Sequence, residues 1–133
     1  MGGSLLISWL PEPEKHPLWP DIYRMLGPAA KIGDYPVMQD GDLVWIAIKD
    51  RMIVGAHTCR LLRDNRLELI LTAGTGFREW FGPMEETLTE FARSCGAWKM
   101  ISRGRKGWAR VNKDYGWKVT GEEDGQILFE KDL

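Results

Sequence analysis

The chain has 133 residues, the size of one domain with room for a real core. Its 44% hydrophobic and 28% charged residues place it among ordinary globular proteins and away from disorder. Eighteen basic residues against nineteen acidic ones leave a net charge of -1, which excludes a general electrostatic pull toward nucleic acid or anionic lipid. Cys59 and Cys95 are too few for a disulfide framework and lack zinc-site spacing, so both read as buried thiols in a reducing compartment and no metal is expected.

The apolar run up to Leu10 is stopped by Pro11 and Pro13 short of signal-peptide or membrane-span length, so a soluble, cytoplasmic protein with no membrane contact is expected. Ser4 to Leu10 reads as a first strand. Leu18, Trp19, Ile22, Tyr23, Met25 and Leu26 fall near helical spacing, predicting a helix over 18–26 that ends at Gly27-Pro28. The stretch holding Gly33, Pro36 and Gly41 reads as irregular.

Leu43 to Ile48 and Met52 to Leu62 are apolar runs rich in β-branched residues, separated by the polar turn Lys49-Asp50-Arg51, which predicts a hairpin. A second turn over Arg63 to Arg66 leads to Leu67, Leu69 and Leu71 alternating with Glu68, Ile70 and Thr72, the third strand of an antiparallel meander. Met84, Leu88, Phe91, Ala92 and Cys95 then recur at helical spacing, with Glu85, Glu86, Thr89, Glu90 and Arg93 assigned to the solvent face. Pro83 is placed in the first turn and Gly96 at the C-terminus. A strand over 97–101, a basic loop over 103–107, a short helix over 108–115 closed by Gly116, and strands over 117–120 and 126–131 joined by an acidic turn complete the order.

This order, β-α-β-β-β-α-β-α-β-β in one domain over 1–133, resembles the GNAT acyltransferase superfamily. The likeness is carried by "VWIAIKDRMIVGAHTCRLL", "LTEFARSCGAWKMI" and "WARVNKDYGWKV". It implies an α+β fold in α/β/α layers around a mixed, mostly antiparallel sheet. It also implies a phosphate-binding glycine loop at the strand-helix junction, where this chain reads "AGTGFREWFGPM". Gly74, Thr75 and Gly76 are the candidate cofactor-binding residues. In the register set by Ala92 and Gly96 they sit early, and Trp80 and Phe81 stand where small residues are expected. Two readings remain: a phosphate cradle, or a glycine turn that joins strand to helix.

The family's general-acid tyrosine, counted back from the Gly-aromatic step at Trp117, falls on Asn112, and Tyr115 is the nearby substitute. Glu68 on the third meander strand is the candidate general base, against the simpler reading of a solvated face. His57, between apolar neighbours, reads as a core or surface histidine, and His16 as a loop residue.

"GRKGWARVNKDYGW", the ending "ILFEKDL" and "GTGFREWF" also resemble small GNAT-like proteins of tailed bacteriophages. That resemblance implies a virion or virion-associated structural protein in the particle, and in the host cytoplasm before assembly, that contacts other virion proteins or itself and uses no cofactor. Its contact candidates are Trp80, Phe81, Trp108 and the basic residues Arg103, Arg105, Lys106 and Arg110, with nucleic acid not expected as a partner. The alternative is an active N-acetyltransferase that uses acetyl-CoA.

Overall fold

The structure, a computed structural model, describes residues 4–133. Strand β1 (Leu5–Leu10) is followed by a 3-10 turn (Pro13–Lys15) and helix α1 (Trp19–Gly33). Strands β2 (Leu43–Lys49), β3 (Met52–Leu61) and β4 (Arg66–Gly74) form the meander, and helix α2 (Phe77–Ser94) follows. Strand β5 (Lys99–Gly104), the short helix α3 (Trp108–Asn112) with a 3-10 extension (Lys113–Tyr115), and strands β6 (Lys118–Glu123) and β7 (Gln126–Asp132) close the chain. The strands form one sheet in the order β1-β2-β3-β4-β5-β7-β6, antiparallel except between β4 and β5. The predicted α+β class and element order hold.

Each face of the sheet carries its own core. On one, Ile22, Leu26 and Ala30 of α1, spaced four residues apart on a single helical stripe, pack against Val44, Ile46, Ala56 and Leu71. On the other, Trp80, Met84, Leu88 and Ala92 of α2 meet Trp45, Leu67, Leu69, Met100 and Phe129. The irregular segment between α1 and β2 is tied down by Asp42, whose Oδ1 accepts Arg60 Nε–H (2.8 Å) and whose Oδ2 accepts the Gln39 amide (2.9 Å). No helix among the described residues is long and apolar enough to cross a membrane.

Both long helices run through the prolines expected to bound them. Helix α1 continues past Gly27-Pro28 to Gly33, because Ala30 extends its buried stripe by another turn. Helix α2 starts at Phe77, not at Pro83, because Trp80, Phe81 and Met84 already belong to its buried face. Burial of those side chains outweighs the one intrahelical hydrogen bond that each proline removes. The earlier start brings Gly76 to the N-cap of α2, so the glycine pair abuts the helix. It also places Glu85 and Thr89 in the interior, where the pattern had put them in solvent. Cys59 is buried as expected, but Cys95 at the end of α2 is exposed. Strand β6 runs on to Glu123, which shortens the expected acidic turn to Asp124-Gly125; both have positive φ (53° and 79°), as a tight two-residue hairpin demands.

Two β-bulges shape the middle of the sheet. In β4, Leu69 pairs with Cys59 and Leu71 with Thr58, so Ile70 is an extra residue. Leu67 and Leu69 therefore face α2 while Leu71 faces α1, and the simple alternation read from the sequence breaks at that point. In β3, Val54 is the extra residue between Ile53 and Gly55. Its carbonyl accepts the Thr75 amide (2.8 Å), and a Cβ on Gly74 would lie 2.2 Å from that same oxygen. A Cβ on Gly55 would meet the Trp80 indole at 2.5 Å. The Gly55→Ala variant is expected to lose about 2 kcal/mol of stability by overpacking. Urea denaturation checks this, and an unchanged midpoint would show that Trp80 does not rest on Gly55.

Candidate functional site

The parallel ladder between β4 and β5 pairs only Arg66 to Leu69 with Lys99 to Ser102. Beyond Leu69 the bulge turns β4 away, and Ile70 to Gly74 have no strand on their β5 side. The two strands splay and leave a cleft of about 140 Å³ that passes between them. On the α2 face it is lined by His57, Thr72, Phe81, Glu85, Trp108, Asn112, Trp117 and Phe129, and on the α1 face by Ala29, Ile32, Gly33, Tyr35 and Gln126. The opening through the sheet thus gives the cleft two mouths on opposite faces.

The glycine loop lies at the far end of the splayed stretch of β4. The Thr75 backbone is fully engaged: its amide donates to Val54 O, and its carbonyl accepts Trp80 Nε1–H (2.9 Å). Gly74 is thereby a packing glycine that joins strand to helix. Gly76 differs, since it caps α2 with φ 63° and a Cβ there would meet nothing within 4 Å. Past it, the Glu79 amide donates to Gly76 O (2.9 Å), while the amides of Phe77 and Arg78 have no intrahelical acceptor and carry the positive end of the helix dipole. Lys49 pairs with Glu79 of that turn and compensates its carboxylate. Gly74 thus fits the reading of a strand-to-helix turn, and Gly76 leaves the first amides of α2 uncovered.

Two buried titratable groups line the cleft. His57, 3% exposed, has Nδ1 at 3.1 Å from Thr58 O, which fixes the proton on Nδ1 and leaves Nε2 as an acceptor. Burial pulls its pKa from 6.5 to about 4, with the backbone contact opposing weakly. Glu85, also 3% exposed, accepts Trp117 Nε1–H at Oε1 (2.9 Å). Its Oε2 has no hydrogen-bond partner: Lys131 Nζ stands 3.8 Å away and donates instead to Thr89 Oγ1 (2.9 Å). Burial raises the Glu85 pKa, opposed by the nearby Lys131 charge and by the hydrogen bond from Trp117. A carboxyl and an imidazole, both biased toward their neutral forms, therefore share one cleft.

The structure scatters the other candidates. Glu68 pairs with Arg60 and Ile101 in the closed half of the ladder and is not part of the cleft wall. Tyr115 packs on Phe81 (5.2 Å between rings), and its hydroxyl lies against Gly82 of α2, outside the cleft. Asn112 is buried and does line the cleft, in the place counted for the family's tyrosine. Trp80 and Phe81 cannot be surface contacts, because both are buried: Trp80 is a core residue and Phe81 a wall of the cleft. Phe77, Phe81 and Trp108 form one aromatic cluster (4.4 to 5.8 Å between rings). Arg105 shares an open depression with Phe77, Gly107, Trp108 and Val111, while Lys106 and Arg110 are exposed and Arg103 is half-buried at the cleft. His16 Nδ1 accepts the Leu18 amide (3.1 Å) in the loop before α1.

The fold matches solved structures over nearly its whole length. An acetyltransferase of Bacillus subtilis in complex with CoA superposes with TM-score 0.75 at 15% identity, covering 98% of this chain and 99% of that one. A GNAT family acetyltransferase from Elizabethkingia anophelis with acetyl-CoA bound gives 0.77 at 14% identity, covering 97% and 98%. The IAA acetyltransferase from Bacillus cereus gives 0.73 at 15% identity, covering 98% and 100%. The fold is that of the GNAT acyltransferases. No protein-family model matches the sequence, and no curated protein does.

These matches overturn the expectation of a structural virion protein: the three solved structures named above, which share this fold from end to end, are acetyltransferases, two of them with CoA or acetyl-CoA bound.

The neutral state of His57 has a measurable consequence. The unfolded chain takes up this proton below pH 6.5 and the folded chain only below about 4, so the stabilisation is complete above 6.5 and is lost on acidification between the two. Between pH 7 and pH 5 that amounts to about 2 kcal/mol. Urea denaturation at both pH values should show His57→Gln reducing the acid-induced loss by this amount; an equal loss in both proteins would mean that His57 titrates normally.

Proposed function

We propose that the chain is an acetyltransferase that takes its acyl group from acetyl-CoA and passes it to an amine. The observation that carries this reading is the cleft at the splay of β4 and β5, which holds the buried groups His57 and Glu85, with the glycine-capped N-terminus of α2 following the end of the splayed strand. The likeness to GNAT acetyltransferases supports it.

The residues present fit the cofactor. A Cβ is missing at Gly76 where phosphate oxygens would approach the amides of Phe77 and Arg78, a donor set suited to anions. Exposed Arg105 beside Phe77 adds a positive charge on the same side. The free edge of β4 from Ile70 to Gly74 offers peptide groups to an amide-bearing arm, and Phe81 and Trp108 wall its apolar part. Acetyl-CoA, when bound, supplies the activated acyl group.

The remaining chemistry belongs to the chain. An attacking amine must lose a proton, and Glu85 is the acceptor best suited to receive it, because its raised pKa brings it toward neutral pH and its Oε2 is free. Trp117 holds the other oxygen and fixes the carboxyl group, while the Lys131 charge opposes the rise in pKa that burial imposes. His57 stays neutral through the physiological range, so it adds no charge to the cleft. Asn112, buried on the cleft wall, offers an amide that could donate a hydrogen bond but has no proton to transfer.

Calorimetry with acetyl-CoA and mass-spectrometric detection of an acetylated amine test the reading. Binding in the micromolar range is expected, and no heat at millimolar acetyl-CoA would end it. Glu85→Gln should lower kcat by about a hundredfold or more while acetyl-CoA still binds. It should also remove the acid limb of the pH-rate profile, which in the wild type lies above the ordinary carboxylate range. An unchanged profile would take the role from Glu85.

A further inference from the structure

The α1-face mouth of the cleft carries a charge pattern of its own. Strand β7 sends Ile127 and Phe129 into the α2-side core, so Leu128 between them faces α1, and Arg103, which pairs with Leu128 in register, faces α1 as well. Arg103 is half-buried on the cleft wall and enters none of the ion pairs among the described residues. Among the described residues the only carboxylate on that wall is Glu85, and it belongs to the α2 face. A guanidinium there keeps its planar fork of donors open to whatever enters. Around it stand the Gln126 amide, whose Nε2 lies by Gly33, and the apolar Ile32 and Tyr35. Tyr35 is fixed in place by Gly33, since a Cβ there would come within 2.6 Å of the ring.

We infer that the acceptor is an amine that also carries a carboxylate, with Arg103 taking the carboxylate at the α1-face mouth and Ile32 and Tyr35 taking an apolar side chain. This inference rests on the proposed acetyl transfer. Phosphate groups of the donor are directed to the opposite face, at the α2 N-terminus, so the two anions do not compete for one cation. An amine entering beside Arg103 reaches the free edge of β4 through the sheet, with Glu85 beyond it. The pairing of a free guanidinium with a carboxylate is bidentate and selective, so an acceptor lacking the carboxylate leaves Arg103 desolvated and unpaired.

The test compares phenylalanine, phenylalaninamide and phenethylamine as acceptors. It also measures binding of N-acetylphenylalanine and N-acetylphenylalaninamide to the protein by calorimetry without donor. Wild type should favour the carboxylate form of each pair by about tenfold or more, and Arg103→Gln should abolish that preference by raising KM with kcat retained. Arg103→Lys should restore part of it, and Lys106→Gln, at an exposed position outside the cleft wall, should leave it intact. Equal binding and turnover with and without the carboxylate, or a preference that survives Arg103→Gln, would overturn the inference. Acetylation of phenethylamine as fast as phenylalanine would overturn it while leaving acetyl transfer in place. Carboxylate-selective binding that depends on Arg103, without any acetyl-CoA binding, would remove the transferase reading and keep the anion site.

Discussion

The structure depends on one strand doing two incompatible things. Strand β4 is antiparallel to β3 over its whole length but parallel to β5 for only four residues, and Ile70 is the residue at which the conflict is resolved. Because Ile70 is left out of the β3 register, β4 bends, its following side chains exchange faces, and the β5 side of Ile70 to Gly74 is left open. Everything with chemical character lies along that opening: the glycine cap at its end, His57 and Glu85 on one face, Arg103 on the other.

That bend is held by backbone contacts so close that they dictate sequence. The second bulge places Val54 O where it takes the Thr75 amide and forbids a side chain on Gly74, while Trp80 lies flat on Gly55 and returns a hydrogen bond to Thr75 O. Two glycines, a tryptophan and two carbonyls thus fix the strand-helix junction, which leaves Gly76 and the first amides of α2 as the part of the loop with nothing else to do. Trp80 is therefore a structural support of the loop, whereas Phe81 packs on Phe77, Trp108 and Tyr115.

Much of the fold was legible in the sequence because its hydrophobic periods are clean: the meander, the α2 stripe at Met84, Leu88 and Ala92, and the closing hairpin all follow from spacing. Less of the site could be read. The prolines at 28 and 83 signal helix ends locally, and only the tertiary burial of Ala30 and Trp80 shows that the helices run through them. Glu85 escaped notice because a glutamate beside other glutamates on an amphipathic helix reads as solvent-facing. The one available signal was its four-residue spacing from Thr89 and, in turn, from Arg93, a polar line too short to stand apart from the exposed face. His57 was visible as a histidine among apolar neighbours, but its place on a cleft required the splay, which no periodicity encodes. Arg103 was noticed for its charge alone, and the face it occupies follows only from register with Leu128.

The brevity of the β4-β5 ladder also divides the sheet mechanically. Strands β1 to β4 form one antiparallel block and β5 to β7 another, and the seam between them holds four paired positions, the Ser102 Oγ–H bond to Leu69 O, and two bonds from Trp98 to the carbonyls of Asp64 and Asn65. A small rotation of one block against the other about this seam would widen or narrow the cleft without disrupting either antiparallel ladder. The width of the cleft is thus set at a short seam, with α2 packed across both blocks as the element that spans it.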